Sequence, residues 1–287
     1  MIHQRRRSFF LWLFCSAALA AAPPDRKSIF IVTDAEGVAG ICRQEQVEPK
    51  NSELRELLTG EVNAAVEGFL AGGAEEVVVW DGHSTSETLS VTSIHPRARL
   101  LIGWMGVSMT FDRRYSALAF VGQHSMANTR KGIMAHSFSS LGIQNLLMNG
   151  KPVGEIGMVS ALAGYYNTPV ILLTGDQAAV EEMKSYVPEA ECVAVKEGLG
   201  RYTGISLSAA ASRQAIREGA VRAMAKLGKI QPFKVEGAVM LEIEGTTRSS
   251  LSPDAGLAPG TAALGDRILR IQGRDFLDAW TRWKTLR

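Results

Sequence analysis

"SELRELLTGEVNAAVEGFLAGGAEEVVVWDGH", residues 52–83, decides the fold. Leu54, Leu57, Leu58, Val62, Val66 and Phe69 recur at helical spacing and form one apolar face; Asn51 or Ser52 can cap its start, and Gly72-Gly73 stops it. The apolar run that follows, Val77 to Trp80, reads as a buried strand that delivers Asp81, Gly82 and His83 at its end. Just upstream, "SIFIVT" (residues 28–33) is a second such run. Strand, helix, strand in that order implies a parallel sheet with a covering helix.

The alternation continues outward from this unit. A strand from about Ala117 to Val121 ends at His124, and "IQNLLMNGKPVGE" carries Asn149-Gly150, the strongest hairpin signal in the chain. A helix opens at Glu155, followed by strand "PVILLTGD", helix "QAAVEEMKSYV", strand "ECVAVKE" and the long helix "SAAASRQAIREGAVRAMAKL". The expected fold is therefore α/β: a mostly parallel sheet flanked by helices over residues 23–232, and a smaller C-terminal α/β lobe over 233–287. That lobe would use strands near "FKVEGAVMLEIEG" and "RILRIQG" and the last helix "DFLDAWTRWKTL". A chain of 287 residues with 46% hydrophobic content can bury such a core.

Residues 1–22 read as a cleaved signal peptide: a basic start at Arg5 to Arg7, a short apolar run, and Ala18-Leu19-Ala20 as a small-x-small cleavage site. The run falls short of the roughly twenty residues that a membrane span needs. "RRSFFL" resembles a twin-arginine signal, and the run suits the general secretory route equally well; both predict an exported protein, periplasmic or secreted. Cleavage removes three arginines and no acids, leaving 28 basic against 29 acidic residues, a formal charge of −1. No nucleic-acid-binding surface is implied, and no membrane contact after cleavage. Cys42 and Cys192 then remain, able to pair in an oxidising compartment or to stay as thiols.

Three histidines and three carboxylates carry the chemistry. Asp34 and Glu36 follow strand "SIFIVT" two positions apart, a spacing that puts both on one side of an extended chain. His83 and His124 follow two further strands, His136 lies in "GIMAHS", and Glu155 opens a helix. In a parallel sheet the strand ends share one edge, where such folds build their sites. Carboxylates and imidazoles together suit zinc or manganese, and the number of ligands favours two ions over one. Each residue also has a plainer use, as a solvated loop cap, a backbone-bonded imidazole or a carboxylate at a helix N-terminus. The phosphate-binding G-x-x-x-x-G-K-[ST], the G-x-S-x-G elbow and the H-E-x-x-H helix are all absent from the sequence.

"VTDAEGVAG", "VWDGHS", "FVGQHS", "GIMAHS" and "NGKPVGEIG" follow one another in the order of the DppA-type zinc-dependent D-aminopeptidase family, which the chain resembles from about Ser28 to its last helix. The resemblance implies two Zn2+ per subunit, with Asp34 bridging both, Glu36 and His83 completing one, and His124 and Glu155 the other. His136 matches a catalytic histidine that is not a ligand and that would protonate the leaving amine or stabilise the oxyanion. A homo-oligomeric ring, a decamer as the candidate size, acting on short peptides is also implied. Ala35 departs from the family pattern, in which a methionine is familiar. The function expected is an exported dinuclear-zinc aminopeptidase that hydrolyses N-terminal D-amino acids from short peptides. The alternatives are an exported solute-binding protein of α/β type and a dimetal phosphoesterase.

Overall fold

The computed structural model of the protein describes residues 26–103, 115–251 and 255–286; the segment read as an export signal lies outside them. Among the described residues, twelve strands form two sheets. The larger contains β1 (Ser28–Thr33), β2 (Glu76–Trp80), β3 (Ala98–Leu101), β4 (Ala117–Gln123), β7 (Val170–Asp176), β8 (Glu191–Gly200) and β9 (Thr203–Ser206), in the order β3-β2-β1-β4-β7-β8-β9. All its pairings are parallel except β8 with β9. β1, β4 and β7 are buried along their whole length, which is why "SIFIVT", "ALAFVGQ" and "VILLTGD" carry apolar residues without alternation.

Helices α1 (Ser52–Ala71), α2 (Glu155–Tyr165), α3 (Gln177–Tyr186) and α4 (Ala209–Ala225) join and flank these strands. The side chain of Asn51 caps α1 by accepting from the amides of Glu53 and Leu54, and α1 ends before Gly72 as its sequence predicts. α1 packs along α4, while α3 and α4 both touch β7 and β8.

The second sheet is antiparallel: β5 (Ile143–Met148), β6 (Lys151–Pro152), β10 (Val239–Gly245), β11 (Thr261–Ala263) and β12 (Ile268–Gly273), ordered β11-β12-β10-β5-β6. Helix α5 (Phe276–Thr285) packs on β12 and β10. Asn149 and Gly150 link β5 to β6 with φ of 51° and 77°, the left-handed pair that a tight hairpin requires. The lobe is thus less purely C-terminal than its sequence suggests, since a central hairpin completes its sheet. The short strands β3, β9 and β11 carry too little periodic pattern to be read in advance. Cys42 and Cys192 are separate thiols. Among the described residues no helix is long and apolar enough to cross a membrane.

Candidate metal centre

The strand order β2-β1-β4 places β1 between the two strands that deliver histidines. Asp34 follows β1 directly, His124 follows β4 directly, and His83 stands three residues beyond β2. Asp34 therefore has an imidazole on each side. Its Oδ1 lies 3.0 Å from His83 Nδ1, and its Oδ2 lies 3.3 Å from His124 Nε2. Glu36 Oε2 is 3.3 Å from the same His83 nitrogen, and Glu155 Oε1 is 3.8 Å from the same His124 nitrogen. Asp34 and Glu36 meet through a turn rather than through the pleat of an extended strand, because β1 stops at Thr33 and the chain folds back over β4. The fold-back brings Gly37 so close to the carbonyl of Gln123 that a Cβ would stand 2.1 Å from its oxygen.

Other groups fix each ligand's orientation. The carbonyl of Val47 accepts a hydrogen bond from His83 Nε2 at 2.8 Å, leaving Nδ1 to face the carboxylates. The carbonyl of Ser125 does the same for His124 Nδ1 at 2.8 Å, leaving Nε2 to face Asp34 and Glu155. Gln123 donates to Asp34 Oδ2, and the amide of Phe138 donates to Glu155 Oε1. Asp81 accepts from the amides of Thr88 and Leu89 and so ties down the chain beyond His83. The loop from residue 124 to 142 carries His136, with Met134 (φ 51°) and Phe138 (φ 59°) in the left-handed region on either side of it. Such conformations persist only where surrounding contacts enforce them, and they cluster at functional sites. His136 lies on this loop and on no strand, stacked on His124 with ring centroids 4.0 Å apart.

The electrostatics point to a cation. Burial opposes the charged forms of His83 and His124, yet Glu36 and Asp34 beside the first, and Glu155 and Asp34 beside the second, hold both well above the ordinary imidazole value. Burial likewise opposes ionisation of Asp34, but the two histidines hold its carboxyl well below the ordinary carboxylate range. The carboxylates thus draw positive charge to this site, a demand that a bound cation would meet. Glu36 Oε2, His124 Nε2 and Glu155 Oε2 are buried without a hydrogen-bond partner. Their neighbours are close without being aligned for hydrogen bonding, as expected of ligand atoms directed at common points between them.

Two groups fall within ligating range: Asp34, Glu36 and His83, and His124, His136 and Glu155. All five expected ligands thus lie at one site, with His136 beside them. A cavity of about 590 Å³ opens onto Asp34, Glu36, His83, His136 and Glu155, while His124 is buried; Phe138, Leu141, Trp280 and Lys284 contribute to its walls. Phe138 and these α5 residues carry no motif of their own, since packing from distant elements brings them to the site, whereas Gln123 lies inside "FVGQHS" beside His124. Lys196, a lone lysine in the apolar run of β8, is the one unforeseen residue with a visible sequence signal: its buried Nζ donates to the carbonyls of Glu36, Val38 and Ile41.

The family model described as D-aminopeptidase matches residues 28–285. A D-aminopeptidase of Bacillus subtilis (strain 168) is 30% identical over 259 residues, covering 88% of this chain and 93% of that protein. The solved structure of the Zn-dependent D-aminopeptidase DppA from Bacillus subtilis, described as a self-compartmentalizing protease, is similar with a TM-score of 0.83 and 29% identity over 90% of this chain and 96% of that one. By a match that spans both sheets and every residue of the centre, the chain belongs to the D-aminopeptidase family.

Proposed function

We propose that this chain is an exported aminopeptidase with two zinc ions that removes N-terminal D-amino acids from short peptides. The observation that carries the reading is the division of Asp34, whose two oxygens face different histidines, each of which also lies against a glutamate of its own. Asp34, Glu36 and His83 would hold one ion, and Asp34, His124 and Glu155 the other. Each set then has one histidine, one glutamate and one oxygen of Asp34, and the orphaned atoms of Glu36, His124 and Glu155 fit that use. When bound, a pair of zinc ions supplies Lewis-acid charge that acidifies a water and polarises a carbonyl.

The chain's own groups would do the rest. With both sets complete without it, His136 remains for proton transfer; its Nδ1–H is held by the carbonyl of Met134 at 2.9 Å, so Nε2 is the atom that would take up the proton released by the attacking water and pass it to the leaving amine. Phe138 and Trp280 wall the cavity and exclude water from the scissile bond. The choice of zinc and of D-configured substrates rests on the relatives' descriptions, and export rests on residues 1–22. A self-compartmentalised homo-oligomer is part of the same proposal. The exposed apolar residues Leu199, Tyr202, Ile205 and Leu207, on and beside the edge strand β9, support it.

The test is a panel of D-alanyl peptides, L-alanyl peptides and phosphate esters, each run with and without a chelator. Chelator-sensitive cleavage of the D-peptides is expected. Reversible ligand binding without turnover would favour the solute-binding alternative, and preferential hydrolysis of phosphate esters the phosphoesterase one.

A further inference from the structure

Besides the residues of the metal centre, two charged side chains line the cavity, Glu48 and Lys284. They belong to opposite ends. Glu48 follows Val47, whose carbonyl holds His83. Lys284 projects from the last turn of α5, with its Nζ 4.4 Å from the ring centroid of Phe138 and 4.6 Å from those of Trp280 and Trp283. Phe138 in turn donates its amide to Glu155. The ammonium thus sits one aromatic ring from the Glu155 end of the centre, against three faces that attract a cation and shed water.

We propose that Lys284 recognises the free α-carboxylate of a short peptide, so that the cavity selects substrates with an uncapped C-terminus. The inference rests on the aminopeptidase reading and names its substrate class: zwitterionic di- and tripeptides, whose carboxylate lies within a few bonds of the reacting amide. A compact ammonium in partly desolvated surroundings pairs strongly with a carboxylate. Glu48, at the His83 end, gives the cavity the opposite polarity there and suits the substrate's ammonium. A lysine in the last turn of a helix also complements the helix dipole, but that role makes no distinction between substrates.

The experiment compares the zinc-loaded wild-type protein with Lys284→Met and Lys284→Arg on one D-alanyl dipeptide as its free acid and as its C-terminal amide. Zinc content and unfolding midpoint are checked first for each variant. Lys284→Met should raise KM for the free acid by roughly tenfold or more, with kcat and the KM for the amide little changed, and Lys284→Arg should restore most of the preference. Cleavage of both substrates with an equal response to Lys284→Met overturns the assignment of Lys284 alone. Absence of cleavage of either substrate by the wild type overturns the aminopeptidase reading and this inference with it.

Discussion

A single carboxylate, Asp34, organises the centre because β1 is flanked by both histidine-bearing strands. Removing any ligand should therefore cost metal, whereas removing His136 should cost chemistry. His83→Ala and His124→Ala are expected to lose bound zinc, while His136→Ala keeps it and loses turnover by about 100-fold or more. Metal content measured beside initial rates separates the two, and equal zinc loss in all three variants contradicts the division. Lys196 acts one step further out. Its ammonium bonds the carbonyls of Glu36, Val38 and Ile41 at 2.5, 2.8 and 2.5 Å, although burial pushes its pKa down to about 8 against the pull of Asp176, Glu61 and Glu36. Lys196→Met keeps the apolar stem and strands three carbonyls; a stability loss of roughly 3 kcal/mol or more is expected by chemical denaturation, with weaker zinc retention. The five candidate ligands stand out in the sequence because each follows an apolar strand or opens a helix. The partner of Lys196, 160 residues away, does not, because local pattern says nothing about which loop a buried lysine will meet.

At the scale of elements, α3 governs the loop that carries His136. Asp176 caps the helix by accepting from Ala179 and with its other oxygen accepts from the amide of Ile133, while Glu182 accepts from the amide of Met126. Two buried carboxylates on one helix thus pin both ends of the stretch before His136. Burial, with Glu155 and Asp176 nearby, pushes Glu182 up to about 7, even though the Met126 amide and His124 favour its ionised form. A carboxyl whose folded pKa is raised binds more protons folded than unfolded between about pH 4.5 and 7, so its contribution is full below that window and is lost as pH rises through it. Glu182→Gln keeps an acceptor and removes the titration. Across that window the wild type should lose a few kcal/mol of stability relative to Glu182→Gln, read as a difference in denaturation midpoints. Parallel pH profiles for the two proteins would contradict it. The His136 loop itself has no regular structure, which is why its sequence showed the histidine but not its placement against His124.

For the whole molecule, the parallel sheet was readable from its unbroken apolar strands, whereas the second sheet depends on β10 pairing with β5, residues that lie about a hundred positions apart. The open edge at β9 is where assembly would act, with Ile205 64% exposed on a strand that, among the described residues, pairs on one side only. If the chain assembles through this edge, Ile205→Lys should shift it toward smaller species in sedimentation velocity while zinc content stays unchanged. An unaltered sedimentation profile places the interface elsewhere. The proposal places two ions on Asp34. The direct measurement is zinc per chain by inductively coupled plasma mass spectrometry, for the wild type and for Asp34→Ala after dialysis against metal-free buffer. Two zinc ions per wild-type chain, and almost none in Asp34→Ala, are predicted; a wild-type value of one or none, or an Asp34→Ala protein that still holds two, would contradict it.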